Sequence, residues 1–197
     1  MANVTIIYYS STGTNHEMAK AIEVGAEAAG AEVRRRLVVE TAPAAAIDSN
    51  PKWREFVDRT AAEPRAGIDD FAWADAVIFG TPTRFGNVAS QLKGFMDMLA
   101  GLWIQGKTAN KIYAGFTSAQ NAHGGQESTL LALYNSFYHF SGIIVTSGYA
   151  DPITMKTGGN PYGPSVTVGS GGPTEADLEH ARFLGKRVAE MAAKLAG

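Results

Sequence analysis

The stretch VTIIYYSSTGTNHEMAKAI, Val4 to Ile22, decides the fold. Its first six residues form an apolar, β-branched run of the kind that builds a buried strand. Six small residues follow, Ser10, Ser11, Thr12, Gly13, Thr14 and Asn15. Apolar residues then recur at helical spacing, with Met18, Ala19, Ile22 and Ala26 on one face and Gly30 as the stop signal. A strand-to-helix turn needs only two or three such residues. Six of them read as a loop that holds something. Free amides and hydroxyls ahead of a helix dipole make a phosphate site. The loop lacks the glycine spacing and lysine of a nucleoside-triphosphate loop, and it lacks the G-x-G-x-x-G dinucleotide fingerprint. A monophosphate held by neutral donors fits it; the competing reading is a serine-rich turn with a good helix cap.

Working outward, the same alternation repeats. AEVRRRLVV (Ala31 to Val39) reads as a second strand, its Arg34-Arg35-Arg36 triplet as a solvated edge rather than an anion site. The proline-bounded segment from Pro43 to Gly67, anchored by Trp53, Phe56 and Val57, reads as an excursion with one short helix. DAVIFG (Asp75 to Gly80) is short and almost wholly apolar, as a strand covered on both faces must be. Leu92, Phe95, Met96 and Leu99 mark a helix from Ala89 to Trp103. KIYAGFTS is a fourth strand, ESTLLALYNSFYHF a helix and GIIVTSGY (Gly142 to Tyr149) a fifth strand. After a Gly/Pro-rich stretch, a long amphipathic helix runs from Thr174 to Gly197, with Thr174 as cap and Asp177 as early-turn acid. Strands alternating with helices predict an α/β fold, a three-layer sandwich with five parallel strands. Ligands in such sheets sit at the carboxyl ends of the strands, near the switch point. That rule marks the loops after the first, third and fourth strands.

Composition narrows the function. A chain of 197 residues with 45% hydrophobic content suits one domain over 1–197 with a sizeable core. Seventeen basic against 19 acidic residues, a net charge of −2, give no footprint for nucleic acid. With no cysteine, disulfides, zinc–thiolate sites, iron–sulfur clusters and cysteine nucleophiles are excluded. No apolar run approaches the ~18 residues of a membrane span, and no secretion signal is visible, so a cytoplasmic protein is expected. His16, His123 and His180 show no metal-ligand spacing, and no metal is assigned.

Ser10-x-Thr12-Gly13-x-Asn15 resembles the phosphate loop of flavodoxin-like FMN proteins, with Asn15, a competent cap and donor, where the commoner form has Thr. GTPTRFGN (Gly80 to Asn87), followed by SQLKGFMDMLAGLW, resembles the tryptophan-repressor-binding-protein type of NAD(P)H:quinone oxidoreductase. The likeness continues in GGQE (Gly124 to Glu127), SGY (Ser147 to Tyr149) and NPYG (Asn160 to Gly163). It implies a flavodoxin-like fold with strand order 2-1-3-4-5. FMN would be held by Ser10 to Asn15, by Pro82, Thr83, Arg84, Phe85, Gly86 and Asn87, and by Ser118, Ala119, Gln120, Asn121 and Gly124. His139 matches the family's flavin-side histidine, and Trp103 its pocket-wall tryptophan. Thr12, also at the substrate side, stands where the family usually has an aromatic. Taken alone, Trp103 would be core or interface filler and His139 a satisfied core histidine. The resemblance instead has both reaching the site from neighbouring subunits of a homotetramer, a dimer of dimers.

The implied reaction uses NAD(P)H as donor and a quinone as acceptor, in a two-electron ping-pong cycle whose chemistry the flavin carries, with no protein residue assigned as catalytic. Arg84 and the loop amides are the positive groups available to the ring. One alternative is a flavodoxin-like one-electron carrier. The charge of −2 does not suggest the acidic surface of that family, and such carriers lack the TPTRFGN…GLW signature. Another is a non-catalytic flavin-binding regulatory module. A receiver-like phosphoryl-aspartate site is disfavoured because the first strand ends in Tyr-Ser-Ser without an acidic pair.

Overall fold

A computed structural model describes residues 1–195. Strands β1 (Asn3–Tyr8), β2 (Glu32–Leu37), β3 (Ala76–Pro82), β4 (Ile112–Ala119) and β5 (Ile143–Ile144) form a parallel sheet in the order β2-β1-β3-β4-β5. The order reverses between β1 and β3, so the switch point lies where the loops after β1 and β3 leave the sheet. β3 and β4 are buried along their whole length, which explains their apolar, non-alternating sequences. In β1 the pleat sends Val4, Ile6 and Tyr8 into one core and Ile7 into the other, where Tyr9, just past the strand, follows it.

Helices α1 (Thr14–Ala28) and α9 (Glu175–Leu195) cover the first face. They pack backbone against backbone. A Cβ on Gly25 would lie 2.0 Å from the Arg182 carbonyl oxygen, and one on Gly185 would lie 2.0 Å from that of Ile22. Thr174 and Asp177 cap α9 as predicted, the Asp177 amide donating to Thr174 Oγ1 and the Thr174 amide to Asp177 Oδ2. The last two residues of the predicted helix, 196 and 197, lie outside the described residues. The second face carries α4 (Ile68–Trp73), α5 (Ser90–Asp97), α6 (Ala100–Ile104) and α7 (Gln126–His139), over a core rich in stacked rings such as Tyr113 on Phe137 at 4.9 Å.

Three expectations are corrected. The fifth strand does not run to Tyr149: it stops at Ile144, and the chain leaves the sheet through a turn with Gly148 at φ 53°. It returns as β6 (Ser165–Thr167), which pairs with the far half of β4 from Thr117 to Ala119. The sheet therefore has six strands, the fifth position being filled in two pieces around an insertion that holds α8 (Ile153–Lys156). The excursion after β2 contains two helices, α2 (Ala44–Asp48) and α3 (Pro51–Arg59), rather than one. The arginine triplet does occupy an edge strand but is not simply solvated. Arg36 and Arg34 pair with Asp70 at 2.9 and 3.5 Å, and Arg35 pairs with Glu23 at 2.7 Å and Glu63 at 3.1 Å.

Candidate cofactor-binding site

The carboxyl ends of β1, β3 and β4 open into a cleft of about 610 Å³. From the first loop it is lined by Ser10, Ser11, Thr12 and Thr14. Gly13 caps α1 at φ 103°, a conformation that side chains rarely adopt. Its amide donates to Ser10 Oγ at 3.1 Å, which folds the loop back on itself. Among the described residues no group accepts from the amides of Ser11, Thr12, Thr14 or Asn15, so the loop keeps a set of free donors at a helix N-terminus. Asn15 is not the cap. It lies buried in the first turn of α1, and its Nδ2 donates to the Tyr9 carbonyl at 3.2 Å, tying helix to strand.

Behind the loop, His16 Nδ1 lies 2.7 Å from the Tyr8 hydroxyl. Burial, with the Arg35 guanidinium nearby, pushes the His16 pKa down, leaving a neutral ring beneath the site.

The second loop brings Pro82, Thr83, Arg84 and Phe85 to the cleft. Arg84 and Asn87 close a tight turn through two backbone hydrogen bonds of 2.8 and 3.0 Å. Its central residues, Phe85 at φ 53° and Gly86 at φ 73°, are both left-handed, as a type I′ turn requires. Phe85 is thus an aromatic residue held in a costly conformation and fully exposed to solvent, the kind of strain that marks functional loops. Gly86 and Asn87 shape this turn without lining the cleft, although Asn87 lines a cavity beside it.

The third loop adds Ser118, Ala119, Gln120, Asn121 and Gly124. The loops are tied together: the Thr83 amide donates to the Ser118 carbonyl at 2.8 Å, Thr129 Oγ1 to Thr83 Oγ1 at 2.7 Å, and Arg84 reaches Ser11 Oγ at 3.4 Å. One end of the cleft thus offers free, uncharged amide and hydroxyl donors, and the other offers backbone, hydroxyl and amide groups with one guanidinium. That donor set fits FMN, a phosphate at one end and a polar-edged ring at the other.

Trp103 and His139 do not line the cleft within this chain. They touch each other, the Trp103 indole donating to the His139 carbonyl at 2.7 Å, on an exposed surface of α6 and α7.

Asn50, Trp53 and Val168 line the cleft without having been expected there. Asn50 caps α3 by accepting from the Lys52 amide, and Pro51 follows at the first helical position, a start signal legible as Asn-Pro. Trp53 is held by Glu40. That carboxylate accepts from the Trp53 indole and the Tyr9 hydroxyl, each at 2.8 Å, and from Gln91 Nε2 and the Thr41 and Ala42 amides, each at 2.9 Å. Partial burial works against its charge, but the bonds from Ala42, Tyr9, Gln91 and Trp53 prevail and hold the carboxyl below its ordinary pKa. Glu40 thereby fixes one wall of the cleft.

Residues 2–152 match the family described as NADPH-dependent FMN reductase. A protein of Deinococcus radiodurans named NAD(P)H dehydrogenase (quinone) is 44% identical over 194 residues, covering 98% of this chain and 97% of that one. One of the same name from Geobacter sulfurreducens is 43% identical over 203 residues, covering 99% and 100%. Among solved structures, a flavodoxin, WrbA-like protein from Agrobacterium tumefaciens superposes with a TM-score of 0.69 at 26% identity over 98% of this chain and 99% of that one. With a donor-lined first loop, an arginine-bearing turn and an amide-lined third loop at the strand ends, and with relatives alike along their whole length, the chain belongs to the NADPH-dependent FMN reductase family.

Proposed function

We propose that the chain is a single FMN-binding domain that carries two electrons from NAD(P)H to a quinone in a ping-pong cycle, working in the cytoplasm as a homotetramer. The coarser statement rests on the family: the chain is an FMN-dependent oxidoreductase of the quinone-reducing kind. The observation that carries the finer one is the open cleft bounded by all three loops, in a chain with no dinucleotide fingerprint in its sequence. Two substrates that need the same face must take turns on it.

Bound FMN supplies hydride chemistry. The protein's part is placement and electrostatics. The first loop anchors the phosphate through the free amides of Ser11, Thr12, Thr14 and Asn15. The Thr83–Ser118 and Thr129–Thr83 bonds hold the two ring-side loops at a fixed separation. Arg84 brings positive charge to the electron-rich ring. Trp53, pinned by Glu40, forms one wall of the cleft. Trp103 and His139 would complete the pocket from neighbouring subunits, which accords with their exposure here.

Anaerobic NAD(P)H titration of the FMN-loaded protein should bleach the visible spectrum at one equivalent, with no long-wavelength band on the way. Steady-state turnover with benzoquinone should give parallel double-reciprocal lines. Intersecting lines would exclude the ping-pong cycle, and a yellow protein that NAD(P)H fails to bleach would favour the one-electron carrier.

A further inference from the structure

The neutral phosphate loop leaves a charge problem. A phosphate monoester carries close to two negative charges near neutrality, and the residues from Ser10 to Asn15 bring none to balance it. Beside the cleft, and sharing Thr12, Thr14 and Val168 with it, lies a second cavity of about 380 Å³. Its lining includes Gly13 and two cations, Lys52 and Arg59, both from α3.

These cations are placed by packing. Lys52, Phe56 and Arg59 stand at i, i+4 and i+7, one face of the helix. Phe56 at the centre of that face is buried and meets the His16 ring edge-on at 5.6 Å, which docks α3 on the first turn of α1. The Arg59 guanidinium lies over the Phe56 ring at 5.5 Å, and Nη2 is 3.0 Å from the point where a Cβ on Gly13 would stand. The absent side chain at Gly13 therefore leaves room for a cation as well as a left-handed turn. Among the described residues neither Lys52 nor Arg59 has a carboxylate at ion-pair distance, whereas Arg54, on the same helix, pairs with Asp48 and Asp58. Glu17, the one acid in the cavity lining, is bridged to Lys20 at 3.0 Å.

The geometry points to α3 as a cationic cover for the FMN phosphate, with Arg59 as the principal charge partner and Lys52 as the second. This rests on FMN occupying the first loop. It adds two binding residues from a segment that the strand-end rule does not mark.

Riboflavin, which lacks the phosphate, separates this role from a structural one. Affinities of the apoprotein for FMN and for riboflavin are measured by quenching of flavin fluorescence, for the natural chain and for Arg59→Gln, Arg59→Lys, Lys52→Gln and Arg54→Gln. Arg59→Gln should weaken FMN about tenfold, the scale of a charge-assisted hydrogen bond, and leave riboflavin unchanged. Arg59→Lys should recover part of the loss, Lys52→Gln should lose less than Arg59→Gln, and Arg54→Gln should match the natural chain. Raising the salt should narrow the gap between natural chain and variant. An equal loss for both flavins would mean that Arg59 merely holds α3 in place, and would overturn the proposal. So would an unchanged ratio accompanied by a higher KM for NADPH than for NADH, which would assign the cations to the donor's phosphates. A natural chain that binds neither flavin would overturn the cofactor reading and this one together.

Discussion

Glu40 shows how much one side chain decides. Its carboxylate accepts five hydrogen bonds: three from the residue after β1, from α3 and from α5, and two from the Thr41 and Ala42 amides of its own loop. Only an acceptor-only group satisfies all five donors. In Glu40→Gln an amide must point at one of the two donor sets, so a partly buried N–H loses its partner at a cost of about 2 kcal/mol. The expected result is a melting temperature lower by about 5 °C and a red-shifted, more quenchable Trp53 emission. Full retention of both would show that Glu40 does not hold the cleft wall.

At the scale of elements, α8 and the insertion are fastened to α9 through a buried histidine. His180 Nδ1 lies 2.8 Å from Thr157 Oγ1, and Nε2 lies 3.4 Å from Thr154 Oγ1. Burial pushes its pKa down to about 4, against the opposing pull of Asp177 and Asp151. An unfolded histidine titrates near 6.5, so between about pH 6.5 and 4 the unfolded chain binds a proton that the folded chain refuses. Stability is therefore full above that window and falls as pH drops through it. The lowered pKa of His16 acts in the same direction. Urea unfolding should show a loss of about 2 kcal/mol between pH 7 and 5 from His180, and His180→Gln should remove that part of the slope. An unchanged slope in the variant would refute the assignment.

For the whole molecule, the surface formed by α6 and the end of α7 exposes Trp103, Ile104 and Tyr138 side by side with His139. Exposed apolar clusters of this kind are characteristic of interfaces. The tetramer reading predicts that Ile104→Glu, a charge placed in that cluster, converts the sedimentation profile from tetramer to smaller species and lowers quinone turnover while FMN stays bound. A natural chain that sediments as a monomer at every concentration would remove both the tetramer and the shared pocket.

Much of this architecture is legible along the chain. The buried strands announce themselves because residues covered on both faces must be apolar throughout, as in Ala76 to Phe79 and Ile112 to Phe116. The first loop is legible because its free donors are neighbours in sequence and its helix follows directly. Thr174 and Asp177 cap α9 by a bond spanning three residues, which spacing alone foretells. What only the tertiary structure decided is set by contacts between distant residues. The end of β5 depends on Ser165 to Thr167 claiming the far half of β4, a competition between partners about twenty residues apart that no local pattern records. Trp53 reaches the cleft, and Lys52 and Arg59 the first loop, because Phe56 meets His16 forty residues earlier in the chain. A local pattern says which face of a helix is apolar; only the completed fold says what that face is laid against.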